Sequence, residues 1–231
     1  MNTAGGSGIH QVTDMGFSNA YVIELEGTNL AVIDTGTPGK EKKILECVGS
    51  LGRKPEDVSY IILTHPDGDH SGSAAALRRL TGAKLAIGKL DAPRLSGEKK
   101  LKETSGFGVV MLGIFGALMK VERVKPDIEL NEGSAIGQLT VIDTPGHTDG
   151  SISVYEQGVA IFVGDLLRTD DAGRLKLASA SMSRDVGQVK HSVEKISKLE
   201  FQKLMPGHGR PIEEQASKAL KDFVASGFRG K

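Results

Sequence analysis

Cysteine is nearly missing from this chain. There is one, Cys47, and there is no tryptophan. A single cysteine excludes an internal disulfide and points to a reducing compartment. It also excludes a thiolate-rich structural zinc site. Cys47 lies in the helical pattern KEKKILECVGSLG, beside Ile44, Val48 and Leu51, and reads as a small apolar core residue. Net charge is missing too, with 29 Lys and Arg against 29 Asp and Glu. Without a basic excess or stripe, nucleic acid is not the expected partner and a small molecule is. Long hydrophobic runs are also lacking. The longest, FGVVMLGIFGALM at residues 107–119, falls short of the roughly 20 residues a membrane span needs. The opening MNTAGGSGIH has neither the basic region nor the apolar core of a secretory signal, so a cytoplasmic protein is expected.

What is present is an ordinary globular composition, 39% hydrophobic and 25% charged over 231 residues, enough for a substantial core. Short Val/Ile/Leu-rich strand signals alternate with helical ones, which predicts an α/β fold. VSYIILT reads as a buried strand, and SGSAAALRRLTG as a helix with Ser71 or Ser73 at its start and Gly82 as its stop. A final helix is expected over residues 212–224. VIDTGTPG, beginning at Val32, is echoed by VIDTPGHTDG, beginning at Val141. The echo fits two similar halves, and no linker-like run divides them, so residues 1–231 are read as one domain.

ILTHPDGDHSG concentrates metal-type side chains: His65, Asp67, Asp69 and His70. Three further strand-like runs end in DTPGH (His147), FVGD (Asp165) and MPGHG (His208), and the echo site VIDTG adds Asp34. A lone Asp at a strand end is usually a turn or cap residue, and a lone His before Gly is usually a loop residue; the ordered set is far more specific. Imidazole with carboxylate suits zinc, iron or manganese. Seven ligands (His65, Asp67, Asp69, His70, His147, Asp165, His208) exceed the needs of one ion, whereas two ions sharing a carboxylate would use them all. His10 and His191 are assigned no role.

With these motifs the chain resembles the metallo-β-lactamase-fold hydrolase superfamily, including glyoxalase II-like proteins and lactonases, from SNAYVIELEGTNLAVIDTG to LMPGHGRPI. The resemblance implies a four-layer αββα sandwich of two similar halves, with two divalent metal ions at one edge between the sheets. Position by position, it implies that His65 and His147 hold the first ion, that Asp69, His70 and His208 hold the second, and that Asp165 bridges them. Asp34 would steady the ligand loop from behind. The family's motif is His-x-His-x-Asp-His, and Asp67 stands where the second histidine belongs. A hard oxygen there shifts preference from zinc, the first expectation, toward iron or manganese. Whether Asp67 binds directly, through water, or leaves the first site weak stays open.

The implied activity is hydrolysis: metal-bound hydroxide attacking an ester, thioester or lactone carbonyl, with Asp69 and Asp165 as the catalytic carboxylates. Two alternatives stand beside it. One is a diiron redox enzyme acting on oxygen or a sulfur substrate, flavodiiron-like but without the flavodoxin domain. The other is a degenerate, non-catalytic metal-binding protein. Residues 97–120 pass from lysine-rich to apolar. Phe107, Met111, Phe115 and Leu118 would form a lid over an apolar substrate; the alternative is a helical hairpin packed on the domain or in a homodimer interface.

Overall fold

The computed structural model describes residues 8–25, 27–99 and 121–229. Phe107, Met111, Phe115 and Leu118 lie outside the described residues, and so does the lid or dimer interface expected of them. In chain order the elements are β1 (Ile9–Gln11), β2 (Tyr21–Glu24), β3 (Leu30–Ile33), α1 (Glu41–Ser50), β4 (Val58–Leu63), α2 (Gly68–Ser71), α3 (Ala74–Thr81), β5 (Lys84–Gly88), α4 (Ala92–Leu95), β6 (Ile128–Leu130), β7 (Ala135–Ile136), β8 (Leu139–Asp143), β9 (Ile152–Glu156), β10 (Ala160–Gly164), β11 (Leu167–Thr169), β12 (Leu175–Leu177), α5 (Val186–Ile196), β13 (Lys203–Pro206) and α6 (Ala216–Ala225).

Two sheets form the centre. One runs β1-β2-β3-β4-β5-β6, antiparallel through β3 and parallel from β3 to β6. The other runs β13-β10-β9-β8-β7, antiparallel except for the parallel β10/β13 pair. Strand periodicity explains the layering, because successive side chains point to opposite faces. In β4, Ile61 and Leu63 pack with Ile44, Val48 and Leu77 of α1 and α3, whereas Ile62 between them packs toward the second sheet. In β10, Phe162 faces the first sheet, and Ile161 and Val163 face Val189, Val193, Ile196, Leu220 and Phe223 of α5 and α6. Three cores between four layers result, and the fold is the αββα sandwich. Burying each of these large side chains contributes roughly 2 kcal/mol. The inter-sheet core includes Tyr21 edge-on to Phe162, with ring centroids 5.3 Å apart.

The helices follow from their apolar spacing. Val189, Val193 and Ile196 recur on one face of α5, and the Asp185 side chain caps its start by accepting from the Gln188 N–H at 2.9 Å. α3 ends at Gly82, whose φ of 74° is the left-handed cap that glycine adopts without strain. Ser73 does stand at the start of α3, but its hydroxyl bonds the Thr37 carbonyl at 2.7 Å and the Lys40 N–H at 2.8 Å, tying down the loop after β3. The last helix begins at Ala216 rather than at residue 212, because Ile212 instead bridges to Leu204 beside β13. Among the described residues, no helix is long and apolar enough to cross a membrane.

The two halves meet where β3, β4, β8, β10 and β13 end. The Ile152 N–H reaches the Thr64 carbonyl at 3.0 Å, and the Tyr21 hydroxyl reaches the Pro206 carbonyl at 2.7 Å. Gly164 adopts φ of 49°, and a Cβ there would meet Thr64 Oγ1 at 2.5 Å. Only glycine lets the end of β10 approach the end of β4 this closely.

Candidate metal centre

Each side chain of the centre stands at the end of a strand. β4 delivers His65. Pro66 then turns the chain into the single helical turn α2, where the His70 and Ser71 N–H groups both bond the Asp67 carbonyl at 2.9 Å. That turn carries Asp69 and His70 back over the strand end. His147, Asp165 and His208 follow β8, β10 and β13. All seven sequence-predicted ligands are therefore brought to one edge of the sandwich.

Two groups form. His65, His147 and Asp165 make one, Asp69, His70 and His208 the other, with the ligand atoms of each within 4.8 Å of one another. Asp165 belongs to both by its two oxygens. Its Oδ2 lies 3.5 Å from His147 Nε2, and its Oδ1 lies 3.2 Å from both His70 Nε2 and His208 Nε2. Asp67 Oδ2 lies 3.2 Å from His147 Nε2 and 3.8 Å from His65 Nε2, so the departure from the family motif reaches the first group. Asp69 Oδ2 lies 3.3 Å from His208 Nε2 and 3.7 Å from His70 Nε2. A tetrahedral ion with bonds of about 2.1 Å holds its ligand atoms about 3.4 Å apart, and the pair distances above, from 3.2 to 3.8 Å, lie around that value.

Proton bookkeeping points three imidazoles the same way. The Asp34 carboxylate accepts from the Thr64 N–H and the Thr64 hydroxyl, both at 2.8 Å, and from His70 Nδ1 at 2.9 Å. Having donated to Asp34, the Thr64 hydroxyl can only accept from His65 Nδ1, 3.0 Å away. His208 Nδ1 donates to the Phe17 carbonyl at 2.7 Å. With Nδ1 protonated in all three rings, each Nε2 is left to present a lone pair to the centre. His65 Nε2 is buried with no hydrogen-bond partner. A buried ring nitrogen without a partner is costly in a bare protein and accounted for by a cation. Asp34 itself sits at φ of 58°, a left-handed conformation that aspartate tolerates.

The electrostatics divide the rings: His65 is kept neutral, while His70 and His208 hold protons that a cation would displace. Burial lowers His65 well below the ordinary histidine range, reinforced by the charges of His70 and His147. Burial acts the same way on His70, but the Asp165 and Asp34 carboxylates outweigh it and hold His70 well above that range. His208 is likewise raised to about 10, against burial, by its bonds to Asp165 and Asp69. Burial would raise Asp165, yet the His70 charge and the bonds from His208 and His70 hold it well below the carboxylate range. Asp69 is lowered despite burial, first by its bond to His208. This pocket of fixed negative charge recruits positive charge.

One set of residues escaped sequence reasoning. Fully buried Asp91 accepts from Arg94 Nη1 at 2.7 Å and from the Thr148 hydroxyl, and Arg94 Nη2 reaches Asp149 at 2.6 Å. Burial raises the Asp91 carboxyl, and the charge of Asp67 adds to the push; through Thr148, the residue after His147, the network adjoins the first group. The Asp-x-x-Arg spacing in DAPR and the Thr-Asp after His147 were its only traces in the sequence.

Residues 13–208 match the metallo-beta-lactamase superfamily. A probable metallo-hydrolase of Methanocaldococcus jannaschii is 29% identical over 213 residues, 90% of this chain and 95% of that protein. A hydroxyacylglutathione hydrolase of Rhodospirillum rubrum is 30% identical over 201 residues, 85% of this chain; the chain spans only 64% of that enzyme's length. Among solved structures, a metallo-beta-lactamase of Novosphingobium pentaromativorans superposes with a TM-score of 0.71 at 20% identity, covering 96% of this chain and 86% of that one. With sandwich, strand-end residues and sequence match in agreement over most of its length, the chain belongs to the metallo-beta-lactamase superfamily.

Proposed function

We propose that the chain is a dinuclear metal-dependent hydrolase acting on a small-molecule ester, thioester or lactone. The observation that carries this reading is the split of Asp165, one oxygen turned to each histidine group. His65, His147 and Asp67 would hold the first ion and Asp69, His70 and His208 the second, with Asp165 shared. When bound, the ions supply Lewis acidity: an acidified water for attack and stabilisation of the developing oxyanion. The protein's own residues do the rest. Asp34 and Thr64 fix the tautomers of His70 and His65. Asp165 would hold the two groups in register, and Asp69, the more exposed of these two carboxylates, would take up a proton through the oxygen not turned to His70 and His208.

Asp67 makes the first group oxygen-rich, which favours iron or manganese over zinc relative to a three-nitrogen set. This placement also keeps the diiron redox reading as the second candidate. The gathering of all seven side chains, with hydrogen bonds that orient His65, His70 and His208, weighs against a degenerate site. The test is metal analysis of natively expressed protein with a panel of lactones, thioesters and phosphodiesters. Carbonyl hydrolysis lost on chelation and restored by metal is expected. Full hydrolysis by exhaustively stripped protein would overturn the proposal, and native iron with oxygen uptake would favour the redox reading.

A further inference from the structure

We propose that Asp91 and Arg94 are positioning residues for the first group: through Thr148 and Asp149 they lock the loop that carries His147, and so set how tightly the first ion is held. The inference rests on the dinuclear reading above.

The bonds admit one proton assignment. A carboxylate only accepts, so the Thr148 hydroxyl donates to Asp91 Oδ2. The Ser151 hydroxyl then donates to Thr148 Oγ1 at 2.6 Å, and Ser151 Oγ accepts the Thr148 N–H at 3.0 Å. The backbone next to His147 is thereby closed into a ring of bonds anchored on Asp91. Packing reinforces it: a Cβ on Gly150 would lie 2.4 Å from the Asp91 nitrogen, so the two segments touch backbone to backbone. The Arg94 guanidinium spans the junction, one nitrogen on Asp91 and the other on Asp149, and Asp149 is also gripped by Arg184. The Arg184 N–H closes the far side on the His147 carbonyl at 3.2 Å. The His147 loop is gripped through its backbone on both flanks.

The buried Asp91–Arg94 pair is a poor device for stability, because desolvation consumes much of the Coulombic gain. Its distinctive property is geometry: a planar fork fixes two carboxylates at once, which a lysine ammonium cannot reproduce. Supports of this kind around metal ligands are worth about 10–100-fold in metal affinity.

The experiment loads the full chain with two equivalents of zinc, then of cobalt, and follows release against rising chelator, with the cobalt visible spectrum as a second readout. Thr148→Val removes the hydroxyl at nearly constant volume, Thr148→Ser restores it, and Arg94→Lys keeps the charge without the fork. A His65→Ala variant identifies which ion belongs to the first group. Thr148→Val and Arg94→Lys are expected to release the first ion about tenfold more readily, leave the second unchanged, and alter only the first ion's cobalt bands, while Thr148→Ser behaves as the parent. Parent-like release of both ions in Thr148→Val and Arg94→Lys overturns the inference, as does equal weakening of both, which a merely structural role produces. A parent chain that never holds more than one equivalent overturns the dinuclear reading itself, and this inference with it.

Discussion

The two halves of the centre are built by different means. The group of Asp69, His70 and His208 is braced by direct bonds: Asp34 on His70, the Phe17 carbonyl on His208, and the Ser18 hydroxyl on the Asp69 carbonyl. Its histidine His70 is wholly buried. The group of His65, His147 and Asp67 has one ring braced by Thr64 and one loop braced through backbone and the Asp91–Arg94 network. It also carries the one carboxylate that departs from the family motif. The lesson is that Asp165, turned to both groups, joins two halves of equal donor count, two imidazoles and one carboxylate each, of which one is braced directly and the other through a remote ion pair.

The comparison can be broken at its shared member. Asp165→Asn removes the charge that both groups use and is expected to cut hydrolysis by roughly a thousandfold, with metal content falling below two equivalents; kinetics and metal analysis on the same preparation check this. Asp34→Asn keeps a residue that tolerates φ of 58° but loses the charge facing His70. It should weaken metal binding about 10–100-fold in the second group, read by chelator competition, with a smaller loss in the first group through the Thr64 bond to His65. Gly207→Ala would place a Cβ 2.6 Å from His70 Cε1 and 2.7 Å from Asp165 Oδ1. Overpacking at that point should cost about 1–3 kcal/mol, measured as a lowered denaturation midpoint with weaker binding in the second group. Asp67→His sharpens the contrast from the other side. It should shift the first group toward zinc over iron or manganese by about tenfold in competition, and an unchanged preference would show that Asp67 is not a direct ligand.

Much of this was legible before any coordinates. The ligand chemistry is a property of residue type, and HPDGDH packs four candidates into one strand-to-helix loop. The buried strand VSYIILT and the helices bearing Ile44 and Val193 follow from period-two and helical spacing. The short strands β6 and β7 and the ribbon β11–β12 were missed. Two- and three-residue strands carry too little pattern to stand out, and pairing partners rather than their own residues define them. Asp91 and Arg94 were missed because an Asp-x-x-Arg step on a helical turn looks like a solvated pair until burial is known.

By itself the sequence determined the donor set, the strand ends that carry it, and the alternation that gives each central strand two apolar faces, since all three depend on residue identity and near neighbours. Tertiary structure alone decided the rest. It brought His147, Asp165 and His208 to the loop after β4, turned one Asp165 oxygen to each group, and set Asp67 Oδ2 3.2 Å from His147. Those facts depend on sheet pairing and on the packing of two sheets, which join residues far apart in the chain by contacts that no local pattern encodes.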